Sequence, residues 1–180
     1  MEKHFETLQS QYGEVHVINS LKQDEATYKG DLNRIFKQHI SNYNSSSSSD
    51  TNVDTSVGSS HLRFTDIPLS KSTIRKIGYN STNPMEIVNT IQHAILDLGA
   101  FYFDYDKGLL TGKQLGVFRI DSFDSLGKAN FISKVIAQEV IIFALRDVGI
   151  AYDHSLLATH GKLWAANNDK LKELTNNFQS

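Results

Sequence analysis

The sequence predicts an α/β fold, a sheet layered with helices, and three observations carry that reading. Strand-like runs alternate with helical stripes along the chain. One late segment, 129–148, is apolar on nearly all faces, which marks a central buried helix. A length of 180 residues is enough for one compact domain with its own core.

Taken in order, Phe5, Leu8 and Tyr12 recur at helical spacing across residues 2–12. Glu14 to Ser20 alternates loosely and reads as a strand. From Glu25 to Ile40, Leu32, Ile35, Phe36 and Ile40 form a helical stripe, with Gly30 weakening its first turn. Residues 41–60 break the pattern. Ser45 to Ser49 sit among Asn, Asp, Thr and Gly, and only Val53 and Val57 are bulky and apolar. Such a stretch buries too little to offset its ordering entropy and reads as a disordered Ser-rich insert.

His61 to Ile67 reads as the next strand. Asn83 suits an N-cap, Pro84 the first helical position and Glu86 the capping-box position. Val88, Ile91, Ile95 and Leu98 then share a core-facing stripe that Gly99 ends. Phe101 to Tyr105 is a strand, Asp106-Lys107-Gly108 a turn, and Leu109 to Thr111 a return strand. The central helix, closed by Gly149, follows a short polar loop, and Leu163 to Phe178 forms a last, more polar helix.

Composition removes several function classes. A net charge of −2 gives no reason to expect nucleic acid as a partner. No apolar run is long enough to span a membrane, and the N-terminus has no apolar signal region, so secretion is not expected. With no cysteine there is no disulfide, no cysteine–zinc site and no thiolate nucleophile. His4, His16, His39, His61, His93, His154 and His160 form no tight ligand pair, so no metal is expected. No glycine-rich dinucleotide or Walker motif is present, so no cofactor is expected either.

The chemistry-bearing segment is Gly116 to Asn130. A strand, a tight loop and a helix N-terminus make an anion site, because backbone N–H groups and the helix dipole point at the loop. Ser122 stands where a nucleophile is needed and Lys128 where a cation is needed. A serine hydroxyl needs an adjacent base. No His or Lys precedes it in the loop, and Asp121 and Asp124 are weak bases unless buried. Ser122 therefore reads as a turn serine bonded to the backbone. Lys128 reads equally as a residual anion ligand or as a solvated helix-start lysine, without the planar two-pronged grip of arginine. Arg119 is expected to orient the loop through Asp121 or Asp124, and Asn130 to bond the loop backbone. Trp164 reads as a packing anchor.

This segment, G-V-F-R-I-D-S-F-D-S-L-G-K-A-N, resembles the signature of the SAC-type phosphoinositide phosphatases, approximately G-V-x-R-T-N-C-x-D-C-L-D-R-T-N. Gly116, Val117, Arg119, Asp124, Leu126 and Asn130 match. The family's cysteine nucleophile falls on Ser122, its phosphate-gripping arginine on Lys128 and a candidate proton donor on Gly127. Asp121 stands where the family usually has a neutral Asn. Four further stretches fit in order: Phe5 through Tyr12-Gly13, Val15 to Asn19, Gly99-Ala100-Phe101-Tyr102 with Gln114, and Leu163-Trp164-Ala165-Ala166-Asn167. The pattern is most like the SAC-like domain of fungal synaptojanin-like inositol polyphosphate 5-phosphatases, some of which carry a degenerate signature.

The resemblance implies that residues 1–180 are part of such a domain, the catalytic-lobe portion, with 41–60 as its insert. It implies a phosphate loop of Arg119, Ser122, Phe123, Asp124, Ser125, Leu126, Gly127, Lys128 and Asn130, with no catalytic position intact at Ser122, Gly127 or Lys128. The expected ligands are phosphoinositide head groups or a membrane surface, weakly held at a cytoplasmic face, together with protein partners. Two alternatives stay open: an active phosphatase that uses Ser122 or belongs to a longer inositol 5-phosphatase, and a truncated product without function.

Overall fold

A computed structural model describes residues 2–21, 26–47, 61–78, 84–123 and 125–177. The α/β expectation holds. In chain order the elements are α1 (Glu2–Tyr12), β1 (Glu14–Asn19), α2 (Tyr28–Ser47), β2 (Arg63–Asp66), α3 (Lys71–Ile77), α4 (Met85–Leu98), β3 (Tyr102–Asp104), β4 (Leu109–Gly112), β5 (Gly116–Asp121), α5 (Leu126–Asp147) and α6 (His154–Asn177). Among the described residues no helix is long and apolar enough to cross a membrane.

The main sheet has the order β2-β1-β5, all parallel, with β3 and β4 forming a separate antiparallel hairpin. β1 is the middle strand and is covered on both faces, as parallel strands require. Its alternation divides the core in two. Val15 and Val17 face α1 and α2, packing with Phe5, Leu21, Phe36, Ile40 and Tyr43. Ile18 faces the other way, into the larger cluster of Ile87, Ile91, Ile95, Phe131, Ile132 and Val135 from α4 and α5. The result is three layers, helix–sheet–helix, with α6 packed along α5.

Two glycines enable this arrangement. Gly13 turns α1 into β1 at φ 83, and a Cβ there would lie 2.4 Å from the Leu115 carbonyl oxygen. Gly116 opens β5 directly beside β1, where a Cβ would lie 2.1 Å from the Glu14 carbonyl oxygen. The match of Gly116 in the signature thus has a packing reason.

Four expectations need correction, and one helix, α3, was not expected. Residues 41–47 are not part of the insert: α2 continues through them, because Tyr43 is buried against the Phe5 ring and Asn44 exchanges two hydrogen bonds with the Leu62 backbone. Residues 48–60 of the insert lie outside the described residues. The central helix starts at Leu126 rather than Ala129, since Ser125 is its N-cap. Pro84, not Asn83, is the N-cap of α4, and Asn83 lies outside the described residues. The last helix begins at His154, nine positions before Leu163, where the Asp153 carboxylate accepts from the Leu156 N–H at 2.9 Å. Finally, α3 had no strong apolar stripe to announce it; Ser70 caps it by accepting from the Thr73 N–H at 2.9 Å.

Candidate functional site

In open parallel α/β sheets, ligands collect at the carboxyl ends of the strands. That edge carries Asn19 from β1, Asp66 from β2 and Asp121 from β5. The Asn19 side-chain amide donates to Asn33 Oδ1 and Asp66 Oδ1, both at 2.7 Å, and its Oδ1 accepts from the Leu21 N–H at 3.1 Å. Lys37, one turn beyond Asn33 on α2, closes the set with an ion pair to Asp66. This network joins α2 to two strand ends. No role had been assigned to Asn33, Asp66 or Lys37 from sequence. The available signal was Asn19, a polar residue closing an apolar strand.

β5 delivers the loop. Val117, Arg119 and Asp121 alternate onto the α1/α2 side of the sheet. The Arg119 guanidinium grips both carboxylate oxygens of Asp121, with Nη2 to Oδ1 at 2.8 Å and Nε to Oδ2 at 3.1 Å. It also lies 5.1 Å from the centre of the Phe5 ring. Of the two partners expected for Arg119, Asp121 is the one it holds; Asp124 lies outside the described residues. Opposite charges in this contact largely cancel each other's field.

Ser122 differs from the expectation. Its Oγ is out of reach of water and has no hydrogen-bond partner among the described residues, so it is not a turn serine bonded to the backbone. No base touches it. Phe123 follows and is 64% exposed. Ser125 ends the loop, with its carbonyl oxygen 3.0 Å from the Lys128 N–H and its Oγ 3.4 Å from the same group. Leu126, Gly127 and Lys128 therefore form the first helical turn of α5 rather than loop.

Lys128 is 3% exposed, so the solvated-lysine reading fails. It lies in the first turn of α5, a helix buried along much of its length. Gly127 faces α6, where a Cβ would lie 3.1 Å from Asn168 Oδ1. Asn130 also reaches α6: its amide donates to the Trp164 carbonyl oxygen at 3.2 Å, and its Oδ1 accepts from Asn167. Asn130 thus ties α5 to α6, a helix–helix role in addition to the loop bonding expected of it. Trp164 donates from Nε1 to His160 Nε2 at 2.9 Å, in keeping with an anchoring role.

Further along α5, Lys134 is 1% exposed and donates to Gln138 Oε1 at 2.8 Å. Burial lowers the Lys134 pKa, with Glu139 opposing the shift. Burial, reinforced by Lys134, lowers that of His160 as well. Polar residues spaced by four in an otherwise apolar helix were the sequence signal for this seam.

Between the α2 face formed by Leu32, Ile35, Phe36 and His39 and the loop residues Ser122 and Phe123 runs a groove of about 260 Å³. Lys128 is not part of its wall. Ser122 borders the groove on the α2 side, and Lys128 is buried in the first turn of α5.

No family model matches the chain. It is 26% identical over 167 residues to the phosphatidylinositol 4,5-bisphosphate 5-phosphatase of Saccharomyces cerevisiae, across 92% of this chain and 15% of that protein. It is 31% identical over 180 residues to inositol-1,4,5-trisphosphate 5-phosphatase 1 of Schizosaccharomyces pombe, across 96% of this chain and 14% of that protein. The chain spans roughly a seventh of the length of either relative. Its similarity is therefore to inositol phosphate and phosphoinositide phosphatases.

Proposed function

We propose that this chain is a catalytically degenerate SAC-like module of phosphoinositide metabolism, one that binds a phosphoinositide head group or a partner protein instead of turning substrate over. The observation that carries the reading is the state of Ser122. The hydroxyl at the nucleophile position is enclosed and has no base within hydrogen-bond reach among the described residues. A serine without a base is a poor nucleophile. The two neighbouring changes agree. Lys128 lies inside the α5 layer, and Gly127 carries no acid.

The resemblance of Gly116–Asn130 to a SAC signature, and the similarity to two phosphatases of inositol phosphates, support the ligand class. A cytoplasmic membrane face is the corresponding workplace. The test is phosphate release from a panel of phosphoinositides and soluble inositol phosphates, alongside equilibrium binding of the same panel. Binding without turnover is the expected result. Turnover that disappears in Ser122→Ala would establish a serine-based enzyme and end this reading.

A further inference from the structure

The β3–β4 hairpin presents an aromatic stripe that the described residues leave uncovered. Residues 84–123 are described without a break, so the hairpin and both its flanks are seen whole. β3 pairs with β4 alone, and its outer edge meets no other strand among the described residues. Along that edge exposure alternates with the strand period. Phe101, Phe103 and Tyr105 are 67%, 44% and 90% exposed, while Tyr102 and Asp104 between them are half-buried. The rings of Phe103 and Tyr105 meet edge to face at 5.2 Å. The hairpin is fixed to the body of the protein, because the Tyr102 hydroxyl donates to the Asp147 carboxylate at the end of α5.

This edge is complementary to itself. Two copies of residues 101–105 laid antiparallel about a twofold axis at Phe103 place Phe103 against Phe103, and Phe101 of each copy against Tyr105 of the other. Every pair on the exposed face is then aromatic with aromatic, a favourable cross-strand pairing. On the other face Asp104 of each copy meets Tyr102, so the two carboxylates do not oppose each other. Asp104 is also neutralised within its own chain, where Lys107 lies 3.0 Å away and the Asp106 and Lys107 N–H groups donate to it. A charge is the usual protection of a strand edge, and here it is already spent. A two-stranded ribbon gains from further strands, and β4 brings exposed Leu109 and Leu110 to the same small sheet.

We propose that the outer edge of β3 is a self-association surface, and that two copies of this chain join there into one antiparallel four-stranded sheet. The proposal is independent of the head-group reading. Six rings, three from each copy, offer on the order of 1,000 Å² to bury, since a covered aromatic contributes roughly 150–250 Å². Specific interfaces begin at about that size, so the pair is a weak and reversible dimer.

Sedimentation equilibrium of the full chain, from low to several hundred micromolar, should show a monomer passing to a dimer. Phe103→Lys sets two cations side by side on the axis and should weaken the dimer at least about tenfold. The absence of cysteine from the chain allows a test of register as well. Phe103→Cys should link to itself under mild oxidation. Tyr105→Cys should not, because in this pairing the two copies of residue 105 stand roughly 13 Å apart, four residues at about 3.3 Å each. If Phe103→Lys does not fold by circular dichroism, the two cysteine variants carry the test. Faster self-linking at Tyr105, the more exposed position, would mean random collision and overturn the proposal. A mass that keeps growing past the dimer would mean open-ended stacking and overturn the twofold pairing. A monomer at every concentration would also overturn it, and if that monomer sediments with phosphatidylcholine vesicles through Phe103, the stripe serves a bilayer instead.

Discussion

Asn167 donates through its side-chain amide to Oδ1 of Asn130, and the Asn130 amide in turn donates to the Trp164 carbonyl oxygen. Asn130 closes the signature-like segment, and Trp164 and Asn167 belong to the downstream block that resembles the same family. Two motifs separated by more than thirty residues therefore meet in one part-buried contact between α5 and α6. Their joint presence has a structural cause that does not depend on catalysis.

Asn130→Ala should lower stability by about 1–3 kcal/mol, since Asn130 is 5% exposed and its removal strands partners on α6. Asn167→Ala should cost less, and the double variant less than the sum, because the two residues share one bond. Urea unfolding of the four proteins measures this. Strict additivity would show that the pair is not coupled.

Residues 41–47 should behave as core and not as insert. Tyr43→Ala removes a ring 7% exposed that packs on Phe5 and whose hydroxyl donates to Gln9 at 2.7 Å, and should cost about 3 kcal/mol. Asn44→Ala breaks both bonds to Leu62 and should cost about 1–2 kcal/mol. Melting temperatures unchanged by either substitution would return this stretch to the insert.

Acid should weaken the fold through β1. Burial of His16, with the Arg63 charge adding to it against Asp97, lowers its pKa from 6.5 to about 4. Between those values the unfolded chain binds a proton that the folded chain excludes. Stability is then full above pH 6.5 and falls as pH drops toward 4, by about 3 kcal/mol at roughly 1.4 kcal/mol per unit. His160, lowered by burial, acts in the same direction. Denaturant midpoints taken from pH 7.5 to 4 should show the slope, and His16→Gln should flatten most of it.

Asp121→Asn should strengthen anion binding severalfold. It removes a like charge from the loop and releases the Arg119 guanidinium from its two-pronged contact. The gain should shrink as salt rises. Tighter binding of inorganic phosphate or a head group, followed by titration at two ionic strengths, is the readout. Weaker binding in this variant would mean that the Arg119–Asp121 pair itself shapes the site.

Restoring the thiol alone should not restore turnover. In Ser122→Cys the buried position, the enclosed Lys128 and the missing acid all remain. A positioned acid is worth about 10²–10⁴ in rate, and a preorganised donor about 10²–10³. The triple variant Ser122→Cys, Gly127→Asp, Lys128→Arg tests the scaffold. Its second change must displace the Asn168 side chain, which lies 3.1 Å from the new Cβ. Phosphate release from Ser122→Cys alone would show that the loop is far closer to competent than its side-chain contacts indicate.

What the sequence determined by itself was the order of layers. The periods in Glu14–Ser20, in Leu32–Ile40 and in Val88–Leu98 are local, and local periodicity is enough to say which residues turn inward. The fate of single polar side chains is not local. Lys128 reads as solvated or anion-bound from its place at a helix start, and only the packing of α5 into the interior buries it. Arg119 had two carboxylates within reach along the chain, and the two-residue alternation of β5 brought it onto Asp121. Ser122 lost its expected backbone partner because the loop turns it toward α2, from an element more than seventy residues earlier. Hydrogen-bond partners and charge neutralisation depend on which elements the fold brings side by side, and one-dimensional spacing carries no record of that.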